Sequence, residues 1–118
     1  MVIAGFGCRA GATPESFRNA LAATGTRPDA LAVPADRAGA IASFAEAKGL
    51  AVHPIAADAL QGIDTPTRST VSLAACGVGS VAEAVALVAA GPGARIVVTR
   101  TISSDRMATC AIAQGPES

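Results

Sequence analysis

The 118-residue sequence has no tryptophan or tyrosine, one histidine, His53, and one lysine, Lys48. With no histidine cluster and no paired-carboxylate motif, nothing argues for a protein-bound metal or a permanently bound cofactor. The three cysteines, Cys8, Cys76 and Cys110, cannot all pair within one chain and lack Cys-x-x-Cys spacing. That excludes a disulfide framework and fits reduced thiols in a cytosol, so a cytoplasmic location is expected. No apolar run is long enough to span a bilayer, and the apolar start Met1 to Phe6 lacks a basic leader and is interrupted by glycine, so secretion is not indicated. Charge of one sign is also lacking: nine Lys and Arg balance nine Asp and Glu. Neither nucleic acid nor a membrane surface is expected as a partner.

What is present is small and apolar. The hydrophobic fraction is 51% and much of it is alanine, so the core must be built from small side chains, the large aliphatics and three phenylalanines, and helices can pack close to a sheet. The length is the commonest for one domain, and a single domain over 1–118 is expected. All basic residues except Lys48 are arginine, whose planar fork matches carboxylate or phosphate. A base-composition bias explains that total, so only the positions of the arginines can argue for function.

Met1 to Phe6 reads as a buried strand followed by a glycine-rich turn from Gly7 to Ala12. A helix then begins with Thr13 as N-cap and Pro14 at the first helical position, and stops near Gly25. Ala30 to Val33 is a second strand, ended by Pro34. Asp36 is placed to cap the next helix, in which Ile41, Phe44, Ala45 and Lys48 recur at helical spacing before a Gly49 C-cap. Leu50 to Ile55 is a third strand, and a one-turn helix capped by Asp58 and Gln61 follows. The spacing Ser80-x-x-Glu83 predicts a capping box opening a helix that ends at Gly91. Arg95 to Thr101 and Ala108 to Ala113 read as a hairpin. Strands alternate with helices until that hairpin, which predicts a three-layer α/β/α sandwich around a mixed, mostly parallel sheet.

Three features can carry chemistry. Gly5-Phe6-Gly7-Cys8-Arg9-Ala10-Gly11 leads from a strand to a helix N-terminus, where backbone amides can hold an anion. A ligand-free tight turn fits it equally, and its third glycine is one place late for a dinucleotide fingerprint. Cys76-Gly77-Val78-Gly79-Ser80 is a second such approach to a helix. Glu83 in that helix reads as a reciprocal cap before it reads as a general acid. Arg9, Arg37 and Arg100 each follow or end a strand, and parallel strands would bring all three to the carboxyl edge, where open α/β sheets bind ligands. Classical catalysis has little behind it. His53 stands alone, and Cys8, although near a helix dipole, has no evident partner base.

Gly5 to Gly11, Ala32 to Arg37, Gly77 to Ala84, Val97 to Arg100 and Thr109 to Ala113 together resemble the family formed by CobE and the C-terminal half of CbiG. The resemblance spans nearly the whole chain in family order. Relatives usually carry lysine where Arg37 and Arg100 stand and an acidic residue near Gly39. Because guanidinium stays protonated, these departures favour anion binding over covalent or acid–base use. The resemblance implies a role in cobalamin biosynthesis near corrin ring contraction. It implies a precorrin-type tetrapyrrole as ligand and other enzymes of the pathway as partners. A ligand with carboxylates around an apolar macrocycle suits arginines, open glycine amides and small apolar walls. The substrate-binding set is then Gly7, Cys8, Arg9, Gly11, Arg37, Gly77, Gly79, Ser80 and Arg100, with Glu83 and Thr109 in support. Binding or carriage is preferred to a stand-alone hydrolase opening a precorrin lactone. A phosphate or nucleotide module is a third possibility.

Overall fold

A computed structural model describes residues 1–9, 11–60, 63, 65 and 80–116. The order of elements is β1 (Val2–Cys8), α1 (Pro14–Thr24), β2 (Ala30–Pro34), a 3-10 turn (Ala35–Arg37), α2 (Ala38–Lys48) and β3 (Val52–Ile55). After a second 3-10 turn (Ala57–Leu60) come α3 (Val81–Ala90), β4 (Arg95–Ile102) and β5 (Ala108–Gln114). The strands form one sheet in the order β3-β2-β1-β5-β4. The pairs β1/β2 and β2/β3 are parallel, and β1/β5 and β4/β5 are antiparallel. Among the described strands β5 alone is therefore reversed, and β4 runs with β1, β2 and β3.

Alternation along β1 divides the interior into two cores. Ala4 and Phe6 face α1 and α2 and pack with Phe17, Ile41, Phe44, Cys110 and Ile112. Phe6 meets Phe17 edge-on at 5.6 Å and Phe44 at 6.0 Å between ring centroids. Ile3 on the other face packs with Ala84, Val85, Ala86 and Ala113 beneath α3. The result is the three-layer α/β/α sandwich, with the mixed sheet in the middle.

Local chemistry accounts for most boundaries. Thr13 and Ser16 form a capping box at α1: Ser16 N–H donates to Thr13 Oγ1 and Thr13 N–H donates to Ser16 Oγ. Gly25, at φ 66°, ends the helix in the left-handed conformation. The cap expected of Asp36 is not formed. Asp36 lies inside the 3-10 turn, whose Ala38 N–H to Ala35 O bond uses main chain to start α2, and Arg37 occupies the N-cap position without a side-chain bond. The third strand begins at Val52 and not at Leu50, because Leu50 N–H closes α2 by donating to Ala45 O. β1 runs two residues further than its apolar run, since Gly7 and Cys8 pair with Thr109 and Ala108. The 3-10 turn at Ala57–Leu60 is the expected single turn, but it begins one residue before Asp58, which lies within it and not at its cap, while Gln61 lies outside the described residues.

The approach of α3 to the sheet depends on Gly5. A Cβ built there would sit 2.1 Å from Ala82 O and 2.7 Å from Ala86 Cβ. Gly115 has the same relation to Ala90 O, at 2.7 Å. α3 thus runs antiparallel to β1, with its C-terminal end over the amino edge of the sheet and Ser80 at the carboxyl edge. No helix among the described residues is long and apolar enough to cross a membrane.

Candidate functional site

β1, β2 and β4 run in one direction, so Arg9, Arg37 and Arg100 reach the same carboxyl edge. Arg9 follows β1 directly and is exposed. Arg37 is half-buried at the N-cap of α2, and Arg100 is half-buried two residues before the end of β4. β2 and β4 are three strand spacings apart, so their backbone anchors span about 14 Å at ~4.8 Å per spacing.

The loop after β1 is held by the hairpin between β4 and β5. Arg9 N–H donates to Met107 O at 2.9 Å, and Ala12 N–H donates to Arg9 O at 3.2 Å. Asp105 fastens that hairpin to the start of α1: its carboxylate accepts from Ser16 Oγ at 2.6 Å, from Ser103 Oγ at 2.5 Å and from Met107 N–H at 3.1 Å. The Ser103 and Ser16 hydroxyls, followed by the Met107 amide, hold the Asp105 carboxyl below the usual carboxylate range. Ser16 and Ser103 are themselves buried. In sequence Asp105 stands only in the polar connection between two apolar runs. Ser16 and Asp105 are 89 residues apart, and no local spacing announces their bond.

The expected residues fall into groups on two faces. On the α3 face, Gly7 is buried within β1, and a Cβ there would lie 2.9 Å from Thr109 Oγ1 and 3.6 Å from Val81 Cβ. Half-buried Thr109 donates to Gly7 O at 3.4 Å. Ser80 is the N-cap of α3 and accepts from Glu83 N–H at 3.3 Å. This is one half of the expected capping box. Glu83 Oε2, expected to accept from the Ser80 amide, instead accepts from Arg100 N–H at 2.8 Å. Glu83 is wholly buried. Gly77 and Gly79 lie outside the described residues.

On the opposite face, half-buried Cys8 lies within electrostatic reach of Arg37. Burial pushes its thiol up, Arg37 pulls it down less strongly and Asp36 adds to the rise, leaving a net upward shift. Cys8 at neutral pH is thus a protonated thiol, not an activated nucleophile. Cys110 is pushed up further by burial. Gly11 is exposed in the loop at φ 91°, a conformation that favours glycine. His53, on the outermost strand β3, belongs to neither group.

A cavity of about 560 Å³ lies between α1 and α2, bordered by Arg18, Arg27 and Lys48. It opens at the amino edge, where both helices end. Cations there complement the negative ends of the helix dipoles, which would oppose a bound anion. The carboxyl edge instead gathers the N-termini of α1, α2 and α3 together with the three arginines. Among the described residues no group of His, Cys, Asp and Glu is placed to hold a metal.

A family model described as cobalamin synthesis G C-terminus matches residues 2–113. The chain belongs to that family. It is a cobalamin biosynthesis protein, as its structural neighbours are. CobE, a protein from the cobalamin (vitamin B12) biosynthetic pathway, is 32% identical, with a TM-score of 0.80 over 96% of this chain and 89% of CobE. The cobalamin biosynthesis protein chiG from Agrobacterium tumefaciens is 31% identical, with a TM-score of 0.76 over 99% of this chain and all of that one. A cobalamin biosynthesis protein G homolog from Sulfolobus solfataricus shares the fold, with a TM-score of 0.74 at 16% identity. This family member spans 37% of that longer chain. No curated protein sequence matches the chain.

Proposed function

We propose that this family member binds a corrin precursor by its peripheral carboxylates at the carboxyl edge of the sheet. It would hold or present the precursor near ring contraction and hand it on to other enzymes of the pathway. The observation that carries this reading is the shared edge: arginines anchored on β1, β2 and β4 beside three helix N-termini. A single phosphate can occupy only part of a rim about 14 Å wide at ~4.8 Å per strand spacing. A polycarboxylate arranged around a macrocycle can engage all of it. The edge supplies cations and amide donors, while Cys8, its thiol among the described residues, is held neutral. That inventory suits holding an anion better than attacking a carbonyl.

A charge-assisted hydrogen bond contributes about 1.5 to 3 kcal/mol, so removing the Arg9 guanidinium should weaken binding roughly tenfold to a hundredfold. The test is a spectrophotometric titration of cobyrinic acid into wild type and a folded Arg9→Ala variant. The same macrocycle with its carboxylates converted to neutral amides serves as control. Binding of the acid should also weaken as salt rises. Equal affinity of wild type for acid and amide would reject carboxylate recognition, and equal affinity of both proteins for the acid would remove Arg9 as an anchor. Release of a product during the titration would turn the reading toward a hydrolase.

A further inference from the structure

Among the described residues β4 is an edge strand, and its register against β5 slips twice. At the second slip, Val98 is opposite Ile112 and Thr101 is opposite Cys110. Thr99 and Arg100 therefore share the single partner Ala111. Such a bulge disrupts the ladder locally and re-aims the side chains it carries. Here the Arg100 N–H donates to Glu83 Oε2 at 2.8 Å. The acceptor comes from another layer of the sandwich. Glu83 is fully buried, and its own N–H is tied to the Ser80 hydroxyl that caps α3. A buried carboxylate persists only where hydrogen bonds and a favourable field offset its lost hydration, and the first turn of a helix supplies such a field.

We infer that Glu83 is a positioning residue for Arg100, holding the β4 bulge in the shape from which the Arg100 side chain leaves the strand at the carboxyl edge. Glu83 needs no contact with a ligand to do this. Its influence on affinity rests on the binding role proposed above, but its hold on Arg100 does not. A carboxylate whose only role was to cap α3 would affect stability and leave Arg100 alone, and the two roles can be separated.

The experiment compares wild type, Glu83→Ala, Arg100→Ala and the double variant in two measurements. Cobyrinic acid titration should show Glu83→Ala weakening binding by roughly threefold to tenfold, a part of the effect of losing one charged hydrogen bond. In the Arg100→Ala background the same change should have no further effect. Amide hydrogen exchange at Arg100 should be at least about tenfold faster in Glu83→Ala, and the Arg100 Nε–H resonance should move. Glu83→Gln keeps an acceptor oxygen and should lie between the two; it carries the test if the alanine variant does not fold. An Arg100 amide and Nε–H unchanged in the variants would overturn the inference, as would equal losses of affinity with and without Arg100. If wild type fails to bind cobyrinic acid, the proposed function falls, and the exchange measurement alone then decides the role of Glu83.

Discussion

At Gly5 the spacing of two layers depends on the absence of one methyl group. Its backbone has no positive φ, so the requirement is steric: a side chain would strike Ala82 O and Ala86. Gly5→Ala must lift α3 from β1, and overpacking of this kind destabilises by about 1 to 3 kcal/mol. Gly39, in the first turn of α2, is the control, because nothing lies within 4 Å of a Cβ built there. Gly39→Ala should be neutral or stabilise by up to about 1 kcal/mol through backbone entropy alone. Urea unfolding followed by circular dichroism reads both, and a Gly5→Ala midpoint equal to that of wild type would mean that α3 does not sit this close. The glycines therefore serve two purposes that look alike in sequence. Gly5 and Gly7 are spaced as in an anion loop, yet both are strand residues beneath a helix. Gly11 alone of the three lies in the loop.

The clasp between the β4–β5 hairpin and the start of α1 makes stability depend on acid pH. The Asp105 carboxyl titrates below its ordinary value of 3.8 when folded. The charged form is thus favoured by folding, and its contribution is complete above the unfolded value. As pH falls through the folded value, the carboxylate gains a proton and the contribution is lost. Asp105→Asn should be less stable than wild type at neutral pH, and the gap should close as the pH falls below about 3.8. Thermal unfolding of both proteins over that range is the measurement, and a gap constant with pH would exclude the carboxylate as the source. Elements whose signals are local were legible in the sequence: the Thr13 cap with Pro14, the glycine ends of α1 and α2, and the hairpin. Boundaries set by distant partners were not. Cys8 stays in its strand because Ala108 pairs with it, and Glu83 leaves its expected local acceptor role for an amide of β4. Asp36 lost its capping role to main-chain bonding in the 3-10 turn.

The same division holds for the whole molecule. That the three arginines share an edge could be anticipated from strand alternation, but only if the fourth strand ran with the first, and the reversed β5 between them is what makes it so. Which residues stand on which face, and that β1 lies at the centre of the sheet, follow from pairings between opposite ends of the chain. Val2 is opposite Gln114, and Gly115 N–H donates to Met1 O at 3.0 Å. This closure sets a timetable for folding. β1 opens at Val2 and β5 at Ala108, yet among the described strands β5 alone joins β1 to β4. The β1–β2–β3 half can form early, but its open side waits for β5, about a hundred residues further along the chain than β1. Contacts this distant in sequence are slow to form, and an unpaired edge is open to wrong partners while it waits. A chain ending at Met107 should therefore lack a cooperative thermal transition by circular dichroism and recover one when a peptide covering 108–118 is supplied. A cooperative melt of the truncated chain alone would mean that β1 has a partner other than β5. The docking speed of β5, a segment with no arginine, would then govern how much of this protein escapes a wrong partner and reaches its folded state.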